Sequence, residues 1–560
     1  MVEIFLSLIL LIFLVFISGF ILSTSLFKLN YNDLEFYEIG LLGIIFLVFL
    51  SFVFHFFIPL NELSNSLIFI LLILVFIFKI NKIVFQNFLS HHKLIFISFL
   101  VIFIMTLKYK PNEDYGYYHL PFIINLVSDK IIFGLSNLQP QFGWNSTWLN
   151  FSSIIYLPIL KIKGTQLSNS ILLFFVFCMF FRELHNTNNK SNISYLFISI
   201  LSFYVIIKFS RISAHGFDFP ANIYLLLSLF YFIKVFEEED IHKINKYFIL
   251  ISCFSLFALT IKLSTFAGPI LFIMTTLIMY KKKIDFKKLK LPLIFCFFFF
   301  LFWLIQQFIF TGCLIPHFKF SCFSSLAWYT NDISKMISDL TGAINKSFNL
   351  YKGDLSQAEY LQDFNWVSTW FERNKIELLE HSAAGLLPII ILCLINFRNL
   401  SNNDNKSFQL IKQKKLLLTS LSFFTIFGLF IWFLKSPVIR FGVPYLFSFI
   451  FLFLVLLVHL TKIRFKKGVL FIFTICLVFN LSKNLNRITK SDSDTYWPEV
   501  LNVTYSTKLK NELKINYPDS KETNPKTKLC WSIPYICSVS KGKNLIFDKK
   551  FSYTFILSNS

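Results

Sequence analysis

Charge is what this chain has least of. Only 15% of its 560 residues are Asp, Glu, Lys or Arg, too few to make the surface of an ordinary soluble protein of this length. Signatures of soluble catalysis are missing as well. There is no G-x-G-x-x-G, no P-loop G-K-[ST], no H-E-x-x-H and no G-x-S-x-G, so ATP-driven transport and zinc proteolysis have no residues to carry them. No internal repeat and no low-complexity linker divides the chain, which speaks against a solenoid or a string of beads. Acids are scarcer than bases, 31 against 53. In so apolar a chain the partner implied by that excess is the anionic headgroup of a bilayer, and no nucleic acid is expected. The first 22 residues lack a basic n-region and an A-x-A-like site and are long enough to span, so they are expected to be a first helix.

What the chain does have is apolar length. Hydrophobic residues make up 55%, with 76 phenylalanines. Runs of spanning length fall near 4–22, 39–59, 67–80, 93–108, 167–181, 192–209, 219–236, 246–261, 264–280, 291–310, 383–397, 416–434, 441–460 and 468–481. The pattern predicts an all-α polytopic membrane protein with about fourteen spans. Every second connection is basic: Lys79/Lys82/Lys93, Arg182/Lys190, Lys243/Lys246, Lys281 to Lys290, Arg398 to Lys415 and Lys462 to Lys467. Those face the cytoplasm by the positive-inside rule. The alternate segments, 109–166, 211–220, 311–381, 435–442 and the tail from Lys483, are then external. The expected organisation is a transmembrane domain over 1–482, with large external loops at 109–166 and 311–381, and an external C-terminal region over 483–560. The second loop alternates polar and apolar residues at helical spacing, which predicts short amphipathic helices. Tyr, Trp and Pro clusters in the tail predict a small folded cap.

Cysteines follow the same division. Cys178, Cys253, Cys296, Cys393 and Cys476 lie within predicted spans, where a thiol is a small apolar side chain. Cys313 with Cys322 and Cys530 with Cys537 form two close external pairs, read as disulfides, with free thiols the alternative. Neither pair has C-x2-C spacing and the only nearby imidazole is His317, so no metal ligand set is assigned.

The stretch KYKPNEDYGYYHLPFIINLVSDKIIFGLSNLQPQFGWNSTWLNFSSIIYLP, from Lys108 to Pro158, concentrates acids, tyrosines, a histidine and tryptophans among apolar residues suited to a bilayer surface. Asp114, beside Glu113, stands where a lipid headgroup would lie and is the candidate general base. Were a helix to begin there, Asp114 would cap it, with Tyr118 on the same face and His119 close by. The competing view makes Asp114 a plain N-cap. Arg211, His215 and Asp218 occupy a very short external connection, with Lys208 and Lys262 near the same level, a group suited to a phosphate or pyrophosphate. Snorkelling interfacial charges are the structural alternative. Arg440, bracketed by Pro437 and Pro444, is placed at a helix break where it could clamp a phosphate, with a plain snorkelling arginine the alternative.

Within the Lys108–Pro158 string, DYGYYHLPFIINLVSDKIIFGLSNLQPQFGWNSTWLNFSSIIYLP (114–158) resembles the diagnostic loop of a group of large bacterial membrane proteins labelled LIC_10190-type. KLSTFAGP (262–269), TGCLIPHFKFSCFSSLAW (311–328), SPVIRFGVPYLF (436–447) and CWSIPYIC (530–537) are similar to that group too. More distantly, the group resembles GT-C glycosyltransferases. This wider resemblance implies a helical membrane enzyme that takes its sugar from a polyprenyl phosphate, with the catalytic acid in the first large external loop. Asp114 matches that acid, Glu113 is its neighbour, and Arg440 matches the cation set against the lipid phosphate. The expected protein is an inverting, lipid-phosphate-sugar-dependent glycosyltransferase of the bacterial inner membrane, active on its periplasmic side, with an envelope glycan or lipid as acceptor. Asp114 is the catalytic residue, and Glu113, Tyr118, His119, Arg211, His215, Asp218 and Arg440 are the substrate-binding set. A divalent metal ion is left open as a cofactor. The alternatives are a flippase or transporter of lipid-linked glycans, and an O-antigen polymerase or ligase. A transporter should show repeated halves and ionisable residues at the midplane, and a polymerase a loop dominated by bases rather than the acid-aromatic cluster of 109–166.

Overall fold

The computed structural model describes residues 1–30, 33–79, 92–110, 114–185, 193–209, 211–212, 216–396, 411–461, 468–490, 496–510, 513–519, 528–539 and 545–558. The chain is mostly helical, with eleven helices long and apolar enough to cross a membrane among the described residues, so it is built as a multi-pass membrane protein. Every apolar run read from the sequence falls on a helix. Those near 93–108 and 192–209 make the shorter helices His92–Thr106 and Ile193–Lys208, and 383–397 is the second half of Val367–Asn396.

Apolar side chains face both ways. Inward, Phe175, Phe230, Phe254 and Phe257 are fully buried. Outward, Leu67, Leu71, Leu74 and Phe78 of Glu62–Lys79 and Phe423, Ile426 and Phe430 of Ile411–Lys435 stand exposed at helical spacing, the arrangement a lipid-facing helix needs. Where helices cross most closely the residues are small. A Cβ on Gly43 would lie 2.0 Å from the carbonyl of Val15, and one on Gly19 1.8 Å from that of Ile39, so Val2–Ile21 and Phe36–His55 touch backbone to backbone.

The bundle has two chemically different ends. At one end, buried charges are tied off in pairs: Glu38 accepts from Tyr231 at 2.8 Å and Lys246 at 3.1 Å, and Glu183 from Tyr37 at 2.8 Å and Lys234 at 2.7 Å. Pairing is what makes charge tolerable there. The other end carries the long connections. The first of them does not lie along a surface. It folds into the bundle as helices Leu120–Ser128 and Thr147–Ile154, with Trp148 fully buried against Phe257, Phe122 against Phe310, and Thr147 within hydrogen-bonding distance of Thr260 at 3.3 Å. The bilayer-surface expectation is therefore corrected: the large aromatics that suggested it fill the end of the core instead.

The second connection holds Asp332–Gly342, Gln357–Leu361 and the first half of Val367–Asn396, so helices form where its spacing predicts them. Beyond Val469–Thr489, which runs past residue 482, the tail forms two antiparallel hairpins, β1 (Tyr505–Lys510) with β2 (Leu513–Pro518) and β3 (Leu545–Lys550) with β4 (Tyr553–Ser558). The second hairpin locks onto the first connection. Phe133 N donates to Thr554 O and Ile556 N to Phe133 O, both at 2.9 Å, and Asn137 Nδ2 to Ile556 O at 2.7 Å. Both expected disulfides, Cys313–Cys322 and Cys530–Cys537, are formed. Cys178, Cys253 and Cys476 are buried free thiols and Cys296 is half-buried; the side chain of Cys393 lies outside those described.

Candidate functional site

The site begins with a turn of backbone. After Asp114 the chain enters a wide helical turn, Tyr115–His119, in which the amides of Tyr118 and His119 both donate to the Asp114 carbonyl, at 3.1 and 3.3 Å. That turn leads directly into Leu120–Ser128, with Pro121 at its start. The Asp114 side chain makes no cap hydrogen bond, so the simple N-cap reading does not hold. Its Oδ2 accepts from the Tyr118 hydroxyl at 3.3 Å instead.

Three other helix ends bring charge to the same place. Asp218 opens Asp218–Glu237, Lys262 follows Ile241–Ile261, and Arg440 lies in the first turn of Ile439–Thr461. Asp218 bridges the two cations: Arg440 Nε donates to its Oδ2 at 2.9 Å and Lys262 Nζ to its Oδ1. Asn222 supports the arginine by donating from Nδ2 to its carbonyl at 2.9 Å. Aromatic rings wall the basin. Lys262 Nζ lies 3.5 Å from the Phe441 ring centre and 5.4 Å from that of Phe217, and Trp144 meets Tyr118 edge-on at 5.1 Å.

Electrostatics set the protonation states. Burial pushes the Asp114 carboxyl above the ordinary carboxylate range, and Arg440, the Tyr118 hydroxyl and Lys262 pull it back in part. Burial, helped by the charge of Lys262, pushes His119 down to about 3, so its ring is neutral. Burial also lowers Lys262, which Asp218 opposes. Two acids and two cations thus share a half-buried, aromatic-walled basin, with one acid consumed in bridging and the other turned to a tyrosine.

Of the residues selected from the sequence, the structure brings Asp114, Tyr118, His119, Asp218 and Arg440 together. Glu113 and His215 lie outside the described residues. Arg211 points elsewhere: its Nε and Nη2 donate to the carbonyls of Lys108 at 2.9 Å and Tyr109 at 2.7 Å, and it lines a separate cavity. Lys208 pairs with Glu380 at 2.7 Å, away from the basin. Sequence reasoning placed Lys262 only at the right level; its sole signal was a lone lysine directly after an apolar run. It missed Trp531, whose ring covers Gly116 so closely that a Cβ there would lie 2.2 Å from it, and whose amide donates to Gly116 O at 3.1 Å. Among the described residues no three His, Cys, Asp or Glu side chains group as a metal site. In the basin, Asp218 is already balanced by two cations.

Fold and site together define a helical multi-pass membrane protein with an acid–cation basin at one end of its bundle. Residues 1–447 match the family described as Domain of unknown function (DUF8201), and the chain belongs to that family. No curated protein and no solved structure matches it.

Proposed function

We propose that the protein is a GT-C-like glycosyltransferase of the bacterial inner membrane, with about fourteen spans, that moves a sugar from a polyprenyl phosphate to an envelope glycan or lipid. The observation that carries this reading is the placing of the Asp114 carboxylate. It is half-buried, released from helix capping, hydrogen-bonded by Tyr118, and set beside Lys262 and Arg440. An inverting displacement needs a base for an acceptor hydroxyl and a cation for a departing phosphate, close together and shielded from water. In the proposed step Asp114 takes the hydroxyl proton and the acceptor oxygen bonds to the anomeric carbon. The bond from that carbon to the phosphate oxygen breaks, and the electron pair stays on the phosphate beside Arg440 and Lys262. Tyr118 holds the carboxylate, and the raised affinity of Asp114 for a proton makes it a stronger base than an exposed aspartate.

Two disulfides near the basin end support a setting in an oxidising compartment, outside the cytoplasm. At the opposite end, Lys243 and Lys282 of two basic connections meet Glu238, which agrees with that orientation.

The test is transfer of labelled sugar from a polyprenyl-phosphate donor by membranes holding matched amounts of wild type, Asp114→Asn or Arg440→Ala. Loss of a positioned base is expected to cost about 10²–10⁴-fold, and loss of the cation about 10²–10³-fold. Undiminished transfer by Asp114→Asn removes the base assignment. Absence of transfer by wild type that still binds the lipid donor tightly overturns the enzyme reading in favour of a flippase.

A further inference from the structure

Two segments at the basin end of the bundle carry exposed phenylalanines on a fixed backbone. The first is the loop closed by Cys313–Cys322, which starts directly after Lys290–Thr311 and Gly312. Leu314 N donates to Ser321 O at 3.0 Å and Phe323 N to Gly312 O at 2.9 Å, so the loop has a defined shape. Phe318, Phe320 and Phe323 nonetheless stand exposed, Phe320 at 88%, with the exposed Lys319 between the first two. The second is the turn of the β3–β4 hairpin, where Phe551 is 95% exposed beside Lys549 and Lys550.

Both segments are pinned to the end of a membrane-spanning helix. Tyr553 Oη donates to Phe56 O, directly after Phe36–His55, at 3.0 Å. Phe323 meets Phe308, one turn before the end of Lys290–Thr311, edge-on at 5.4 Å, and Trp328 meets the same ring at 6.0 Å. Trp328 also packs on Phe555 of the hairpin at 6.2 Å, which joins loop and hairpin into one block. Lys290–Thr311 has 22 residues, about 33 Å of helix, enough to carry its far end across a hydrocarbon core of about 30 Å. A ring packed one turn short of that end lies at the border between acyl chains and headgroups. Phe57, 70% exposed, and Leu63 are also at this end, and they continue the lipid-facing stripe of Leu67, Leu71 and Leu74. Exposed rings beside lysines suit that border, because the ring enters the acyl boundary while the ammonium group reaches the phosphates. In water the same rings would leave an apolar patch uncovered.

We propose that the Cys313–Cys322 loop and the β3–β4 turn are membrane-surface anchors that set Phe318, Phe320 and Phe551 into the leaflet at the basin end. The tail is then held by the bilayer as well as by the first connection. No side chain of the Asp114 basin takes part, so the proposal stands or falls apart from the glycosyl-transfer reading.

The experiment uses the full-length protein in liposomes of phosphatidylcholine and phosphatidylglycerol. Phe320→p-benzoylphenylalanine and Phe551→p-benzoylphenylalanine each place a photoreactive ring at an almost fully exposed position, where its added bulk displaces nothing. Asp354→p-benzoylphenylalanine, in the exposed polar stretch 352–359, is the reference. After irradiation, mass spectra should show adducts of one phospholipid several-fold more abundant at 320 and at 551 than at 354. Adding Phe318→Asp should lower the yield at 320, because a carboxylate draws the loop toward water. A yield at either position no greater than at 354 overturns the proposal. So do adducts chiefly of twice the protein mass, which would make the patch a contact between copies of the chain.

Discussion

Asp114 and Asp218 sit in one basin and have opposite assignments. Asp114 binds its proton more tightly in the folded chain than in the unfolded one, because burial outweighs the nearby cations. A carboxyl with a raised folded pKa costs stability once the pH exceeds its unfolded value, and the cost disappears at lower pH. Asp114→Asn is therefore expected to unfold at an equal or higher temperature than wild type near pH 7, with the difference closing as the pH falls toward the carboxylate range. Thermal unfolding in one detergent across pH checks this, and a large loss of stability at pH 7 would contradict it. Asp218 is a bridge, and Asp218→Asn leaves Lys262 and Arg440 facing each other with Asp114 as the remaining nearby carboxylate. That variant is expected to lose about 1.5–3 kcal/mol, read by the same melts. Asp218→Glu should recover part of it.

At the scale of elements, the tail meets the turn that presents Asp114 at Trp531. Trp531, held in the loop closed by Cys530–Cys537, lies on Gly116 in the turn that presents Asp114 and Tyr118. A methyl group at position 116 has no room beneath that ring, so Gly116→Ala must displace either the turn or the loop. Sugar transfer is expected to fall while the helical content by circular dichroism stays the same. Joint replacement of Cys530 and Cys537 by Ser should act in the same direction and cost about 2–3 kcal/mol in the loop-closure picture. Neither effect was legible in the sequence. The apolar helices were, because each carries its own periodic or continuous signal. The strand segment YSTKLK is polar and short, and becomes a strand only by pairing with LKINYP in a tail docked on Phe133 and Asn137. That is tertiary context, which local pattern does not encode.

At the scale of the whole molecule, the two bundle ends divide the labour. One ties its buried acids to lysines and tyrosines; the other gathers the basin and both disulfides. The candidate site was partly legible because Asp114, Asp218 and Arg440 each stand at a helix end, where a charge beside an apolar run is visible in sequence. Direction was not. Arg211 lies close to Asp218 in the chain yet turns to the carbonyls of 108 and 109, and the pairing of Lys262 with Asp218 depends on how two helices pack. The most direct test of Asp114 as a base is the pH profile of kcat/KM for sugar transfer, measured for wild type and Asp114→Asn. Wild type should lose activity on the acid side with a midpoint above the ordinary aspartate value, and the Asn variant should be slow and flat across that range. Equal rates, or the same acid limb in both proteins, would contradict it.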